Sequence, residues 1–138
     1  MKAIFCKSYG PPKNLVLEEV DDLKPGEGEA LVEVYAAALN FPDTLQIAGK
    51  YQYQPPFPFI PGSEAGGIIK ELGPIVKGFE TGDRVMANPG IGAMAEQVCV
   101  PSGRLRKIPD SMSFKIASGF PMVYTTSYYA LKQRAELQ

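Results

Sequence analysis

Apolar residues in this chain come in short runs cut apart by glycine and proline, the rhythm of a protein built mainly from strands and turns. Residues 2–7 and 15–20 predict two opening strands on either side of the turn Tyr9-Gly10-Pro11-Pro12. After a loop over residues 23–28, residues 30–38 alternate as a half-buried strand does, with Leu31, Glu33 and Tyr35 on one face and Val32, Val34 and Ala36 on the other. The period then changes. Asn40 is a good N-cap, Pro42 is tolerated in a first helical turn, and Asp43 would sit beside the positive end of the helix dipole. A short helix is therefore expected over residues 41–48, ended by Gly49. Residues 50–61, rich in proline and aromatics, are too stiff for disorder and too broken for a strand. Further strands are expected over 67–72, 83–87, 94–100 and 106–108, then a short helix over 113–118 and a longer one over 122–136, entered through Pro121. The pattern predicts a β-rich barrel with a few peripheral helices and no internal repeat.

Composition narrows the function more than the fold. At 138 residues, 45% hydrophobic and 21% charged, the chain has the makeup of one ordinary domain with its own core. A net charge of −1, with no face gathering Lys and Arg, points away from nucleic acid and anionic membranes and toward a small, near-neutral substrate. The N-terminus lacks the long apolar stretch of a signal peptide and no segment approaches transmembrane length, so the expected location is cytoplasmic. Histidine is absent, which excludes His-based catalytic zinc and the Ser-His-Asp and Cys-His hydrolase mechanisms. The two cysteines, Cys6 and Cys99, cannot complete a structural zinc site, and each sits in an apolar run where a small core residue is the reading set against a reactive thiol.

Gly90-Ile91-Gly92-Ala93-Met94-Ala95 matches the G-x-G-x-x-A fingerprint of dinucleotide binding, with Asp110 near the place of a ribose-binding acid. The match fails on context. The fingerprint needs a helix of ten or more residues facing the pyrophosphate, whereas only residues 94–100 stand before Pro101, and their Gln-Val-Cys-Val tail prefers a strand. A glycine hairpin is expected instead.

Several phrases then occur in order: Leu39-Asn40-Phe41-Pro42-Asp43, Gly49-Lys50-Tyr51, Pro61-Gly62-Ser63-Glu64-Ala65-Gly66-Gly67, Gly82-Asp83-Arg84-Val85, Ala93-Met94-Ala95-Glu96-Gln97 and Ile108-Pro109-Asp110. In that order and spacing the chain resembles the N-terminal, GroES-like domain of zinc-free quinone oxidoreductases of the medium-chain dehydrogenase/reductase superfamily. The resemblance implies a β-rich α+β fold, a partly open GroES-like β-barrel with short peripheral helices. It also implies a division into a catalytic domain over residues 1–120 and a helix over 121–138 that crosses toward a nucleotide-binding domain. Zinc-dependent relatives carry a Cys where this chain has Asn40 and a His where it has Ser63, and neither an amide nor a hydroxyl competes as a zinc ligand.

The family's chemistry is hydride transfer from NADPH to quinones, enones and related carbonyls. By resemblance, Asn40 and Tyr51 are the catalytic donors that polarise the acceptor oxygen, Phe41 and Tyr53 contact substrate, and Asn40 and Thr126 approach the cofactor. Each has a plainer reading beside it. Asn40 could cap the helix, Asp43 could be a first-turn acid, and Thr126 could be a helix-surface hydroxyl. Glu64 could hold backbone N–H groups or an Arg such as Arg84. With its nucleotide domain absent, the chain is expected to be inactive alone and to self-associate through the apolar crossing helix. The alternative is a free-standing GroES-like module that works through protein contacts without redox chemistry.

Overall fold

The computed structural model describes residues 1–138. The elements run β1 (Lys2–Phe5), β2 (Val16–Glu19), β3 (Glu29–Ala37), α1 (Phe41–Ile47), β4 (Ala65–Leu72), β5 (Arg84–Ala87), β6 (Gln97–Pro101), β7 (Leu105–Lys107) and α2 (Phe114–Tyr128), prolonged by a π-helical turn over Tyr129–Arg134. β1 and β2 form an antiparallel ribbon. The other five strands make one antiparallel sheet in the order β6-β3-β4-β5-β7.

Two edge strands joined by a single short turn force this sheet to curl. β6 and β7 lie at opposite edges, yet only the 3-10 turn Ser102–Arg104 separates them. Across a flat five-stranded sheet the gap would be roughly 19 Å, and three linking residues reach about 14 Å even when fully extended. The sheet therefore bends into a partly open barrel, as the sequence predicts.

Ala30, Val32, Ala65, Ile69, Val85, Ala87, Ala93, Val98, Val100 and Leu105 form its core. Their period of two along β3, β5 and β6 is the alternation read in the sequence. β3 departs from it at Leu31, which is also buried, because this strand lies inside the sheet. A second cluster of Cys6, Ile47 and Phe59 fixes α1 against β1 and the proline-rich loop.

Two expectations about local structure need correction. Residues 113–118 and 122–136 are not two helices: α2 runs from Phe114 to Tyr128 with Pro121 inside it. The glycine segment is not a hairpin either, since β5 and β6 are separated in the sheet by β4 and β3. Residues 88–96 instead form an overpass, with Gly90 at φ 80° and Gly92 at φ 101°. It is pinned by Gly92 N–H to Ile60 O at 2.9 Å and Met94 N–H to Pro61 O at 3.0 Å. No helix follows these glycines, in keeping with the rejection of a dinucleotide fingerprint.

The glycines of β4 set how closely other elements approach. A Cβ at Gly67 would lie 2.0 Å from the Glu33 carbonyl oxygen. One at Gly66 would lie 2.6 Å from the Phe114 carbonyl oxygen, so the start of α2 rests directly on β4.

Candidate active site

Where β3 ends and α1 begins, Asn40 takes the N-cap position with extended backbone (φ −117°, ψ 155°). Asp43 closes the turn from inside: its Oδ2 accepts the Asn40 N–H at 2.8 Å, and its own N–H donates to Asn40 O at 3.0 Å. The Asn40 side chain, part of the same capping box, also reaches the barrel, its Nδ2 donating to Glu64 Oε1 at 2.6 Å. Donation to the Glu64 carboxyl oxygen fixes which end of the amide is nitrogen and leaves its second N–H uncommitted to Glu64.

Glu64, completely buried just before β4, is the junction of this network. Its second oxygen, Oε2, accepts the backbone N–H of Met122 at 2.6 Å. The expectation that Glu64 holds backbone N–H groups thus describes one of its two bonds. Arg84 is not its partner: that guanidinium donates to Met112 O at 2.6 Å and lies over the Phe114 ring at 4.2 Å.

A cavity of about 200 Å³ opens beside this network, lined by Pro42, Asp43, Gln46, Tyr51, Ser63, Asn88, Gly90 and Met122. Asp43 and Gln46 are buried, and α1 presents both because they are three residues apart on one helix face. Burial pushes the Asp43 carboxyl above its ordinary range, opposed by the backbone N–H groups of Asn40 and Gly62. The Ser63 hydroxyl is buried and has no hydrogen-bond partner. Asn88 also lines a larger open groove of about 640 Å³ on the same side, walled by Phe120 and Thr125 of α2 and by Arg104 and Arg106.

Of the residues singled out in the sequence, Tyr51 lines the cavity. Asn40 is half-buried and adjoins it through Asp43 and Glu64. Phe41 and Tyr53 are 74% and 57% exposed and are not part of the lining. Thr126 is exposed, and its neighbour Thr125 lines the groove. Sequence reasoning did not single out Gln46, Asn88 or Met122. For Gln46 the helix period from Asp43 was an available signal, whereas Asn88 and Met122 arrive through tertiary packing alone. Chemically, the cavity offers neutral donors from Tyr51, Gln46, Ser63 and Asn88 around one buried carboxyl, a set suited to a carbonyl or hydroxyl ligand. Nowhere do three His, Cys, Asp or Glu side chains come together as a metal site would require.

Comparison with known proteins agrees with this architecture. Residues 26–110 match the model of the alcohol dehydrogenase GroES-like domain. The chain is 39% identical to a quinone oxidoreductase-like protein 2 homolog of Nematostella vectensis, over 99% of this chain and 38% of that protein. The crystal structure of the human synaptic vesicle membrane protein VAT-1 homolog-like protein superposes with a TM-score of 0.97 at 40% identity, covering all of this chain and 45% of that one. The Thermus thermophilus quinone oxidoreductase, whose structure was also determined with NADPH, gives a TM-score of 0.85 at 36% identity, covering all of this chain and 42% of that one. The chain spans about a third of the length of the curated relatives it matches, 33% and 38% in two cases. With its curled antiparallel sheet, its two helices and this match, the chain belongs to the alcohol dehydrogenase GroES-like domain family, in the quinone oxidoreductase branch of the medium-chain dehydrogenases/reductases.

Proposed function

We propose that this chain is the substrate-binding and catalytic portion of a zinc-independent, NADPH-dependent reductase of quinones, enones or similar carbonyl acceptors. The observation that carries this reading is the ring of neutral donors, with no imidazole or metal cluster, around the cavity beside α2. A dinucleotide, when bound, would supply the hydride. The protein's own part is to hold the acceptor and stabilise the charge that grows on its oxygen. Tyr51 O–H and the free N–H of Asn40 fill that role, with the unpartnered Ser63 hydroxyl as a third donor.

The residues present fit only the nicotinamide end of such a cofactor, through Asn40 and Thr126. The glycines at 90 and 92 lead into no helix, so nothing in this chain provides the N-terminus that seats a pyrophosphate. Residues 1–120 would then be the catalytic domain and 121–138 the helix leading toward a nucleotide-binding domain. Alone, the chain would turn over no quinone and bind NADPH no more tightly than about millimolar. A cytoplasmic site of action accompanies this assignment. No helix is long and apolar enough to cross a membrane.

The test is turnover with a quinone or enone in a protein joining this chain to a dinucleotide-binding domain. Tyr51→Phe should lower turnover by roughly 10- to 100-fold with little change in melting temperature. Asn40→Ala should lower turnover comparably, but it also strips a donor from the buried Glu64 carboxylate and so costs stability as well. Wild-type turnover in both variants, or about one zinc per chain by elemental analysis, would overturn the proposal.

A further inference from the structure

We propose that Glu64 is a positioning residue that couples the course of α2 past Pro121 to the orientation of the Asn40 side-chain amide. The coupling stands on geometry alone, and its catalytic meaning rests on the reading of Asn40 as a donor to the acceptor oxygen.

Proline inside a helix lacks an N–H, and its ring presses on the carbonyl four residues back, opening the ladder around it. In α2 the residue that follows this proline, Met122, donates its backbone N–H to Glu64 Oε2 at 2.6 Å. The other oxygen of the same rigid carboxylate holds Asn40 Nδ2 at 2.6 Å. Both distances are short for N–H···O hydrogen bonds. Glu64 is fully buried, so neither donor has solvent close by as a replacement acceptor.

The partners sit on three separate elements. Asn40 begins α1, Glu64 precedes β4 and Met122 lies in α2, 58 residues along the chain from Glu64. Gly66 makes the arrangement possible, because any Cβ there would push the start of α2 off β4 and carry Met122 out of reach. The Asn40 backbone is already locked to Asp43, so its side-chain torsions are the freedom that Glu64 controls. A change in the tilt of α2 beyond Pro121 must then break the Met122 bond or rotate the carboxylate, and rotation carries the Asn40 amide with it. Met122 lines the cavity, so the same clamp also sets one wall of the site.

Nuclear magnetic resonance on the 15N-labelled chain tests this without turnover, reading the Asn40 side-chain NH2 and the Met122 backbone amide. Glu64→Gln offers one acceptor and one donor group in place of two acceptors, so it cannot serve both donors. Pro121→Ala touches neither Glu64 nor Asn40, but lets the ladder close between Met122 N–H and the Ser118 carbonyl. The expected result is that Pro121→Ala moves both reporters, and that Glu64→Gln then perturbs Asn40 less in the Pro121→Ala background than in the wild type. The exposed substitution Val123→Ala should move neither. If Pro121→Ala shifts Met122 and leaves the Asn40 amide at its wild-type position, Glu64 merely satisfies the Met122 N–H and the coupling is refuted. This result is independent of the turnover test: loss of the donor role for Asn40 would leave the coupling intact, and the converse also holds. If Glu64→Gln does not fold, Pro121→Ala alone decides.

Discussion

Before Pro121, α2 buries Ala117 and Ser118 against β4 and places the Arg84 guanidinium on the Phe114 ring; beyond it, Val123, Tyr124, Tyr128, Tyr129 and Leu131 are each about half exposed or more. Both halves are rich in apolar residues, and both are helical. What differs is a surface to pack against. The first half has a glycine-floored seat and a Ser113 cap accepting the Ile116 N–H. Past the Met122 bond to Glu64, the second has its own ladder and the stacked pair Phe120–Tyr124. Short helices gain most of their stability from tertiary packing, so the two halves should respond very differently to change.

Destroying the seat gives the largest expected effect. Gly66→Val forces side-chain atoms into the Phe114 backbone and should cost about 3 kcal/mol or more, seen as a drop in the urea midpoint or as failure to fold. Substitution on the far half should barely alter stability but should change association. If the wild-type chain self-associates through this face, Tyr124→Ser, Tyr128→Ser and Leu131→Ser together should leave a monomer in a sizing experiment, with the melting temperature within a few degrees of wild type. A wild-type chain that is already a clean monomer would remove the argument that this face needs cover.

The smallest effect sharpens the comparison at α1, where one buried carboxyl stands in a well-packed region. A carboxyl whose value is raised in the fold holds its proton more tightly there than in the unfolded chain. Its contribution is therefore most favourable at low pH and is lost as pH rises from the ordinary value of about 3.9 through the raised one. Asp43→Asn lacks this component, so the stability of the wild type relative to the variant should fall as pH rises over that range. Urea titrations at several pH values would show it, and a gap independent of pH would refute the assignment.

The strands were legible because alternation and turn residues act over a few positions. The five-stranded core reproduces the apolar face read along residues 30–38, and Asn40, Pro42 and Gly49 bound α1 as their backbone preferences require. Pro121 misleads because a proline reads locally as a helix start. The helix runs through it where it is packed on the barrel, and the fully buried Glu64 accepts the N–H of the next residue, Met122. The overpass over residues 88–96 reads as a hairpin because its two flanking strands are neighbours in sequence and not in the sheet. At the site, Tyr51 was found by family resemblance, while Asn88 and Met122 carry no mark in their own neighbourhoods. They reach the cavity because a curled sheet and the helix packed on it bring them there.

The two cysteines give the chain one further property. Burial pushes the Cys6 thiol up, and its Sγ donates to Ser8 O; Cys99, half-buried and facing the charges of Glu29 and Glu71, is pushed up to about 11. At neutral pH, a thiol of that value is thiolate in roughly one molecule in ten thousand, and only the thiolate attacks an electrophile. The natural chain is thus a nearly silent background for maleimide or spin-label chemistry. A single cysteine introduced at an exposed position such as Tyr53 would stand as the one fast-reacting handle, open to labelling with both native thiols left in place.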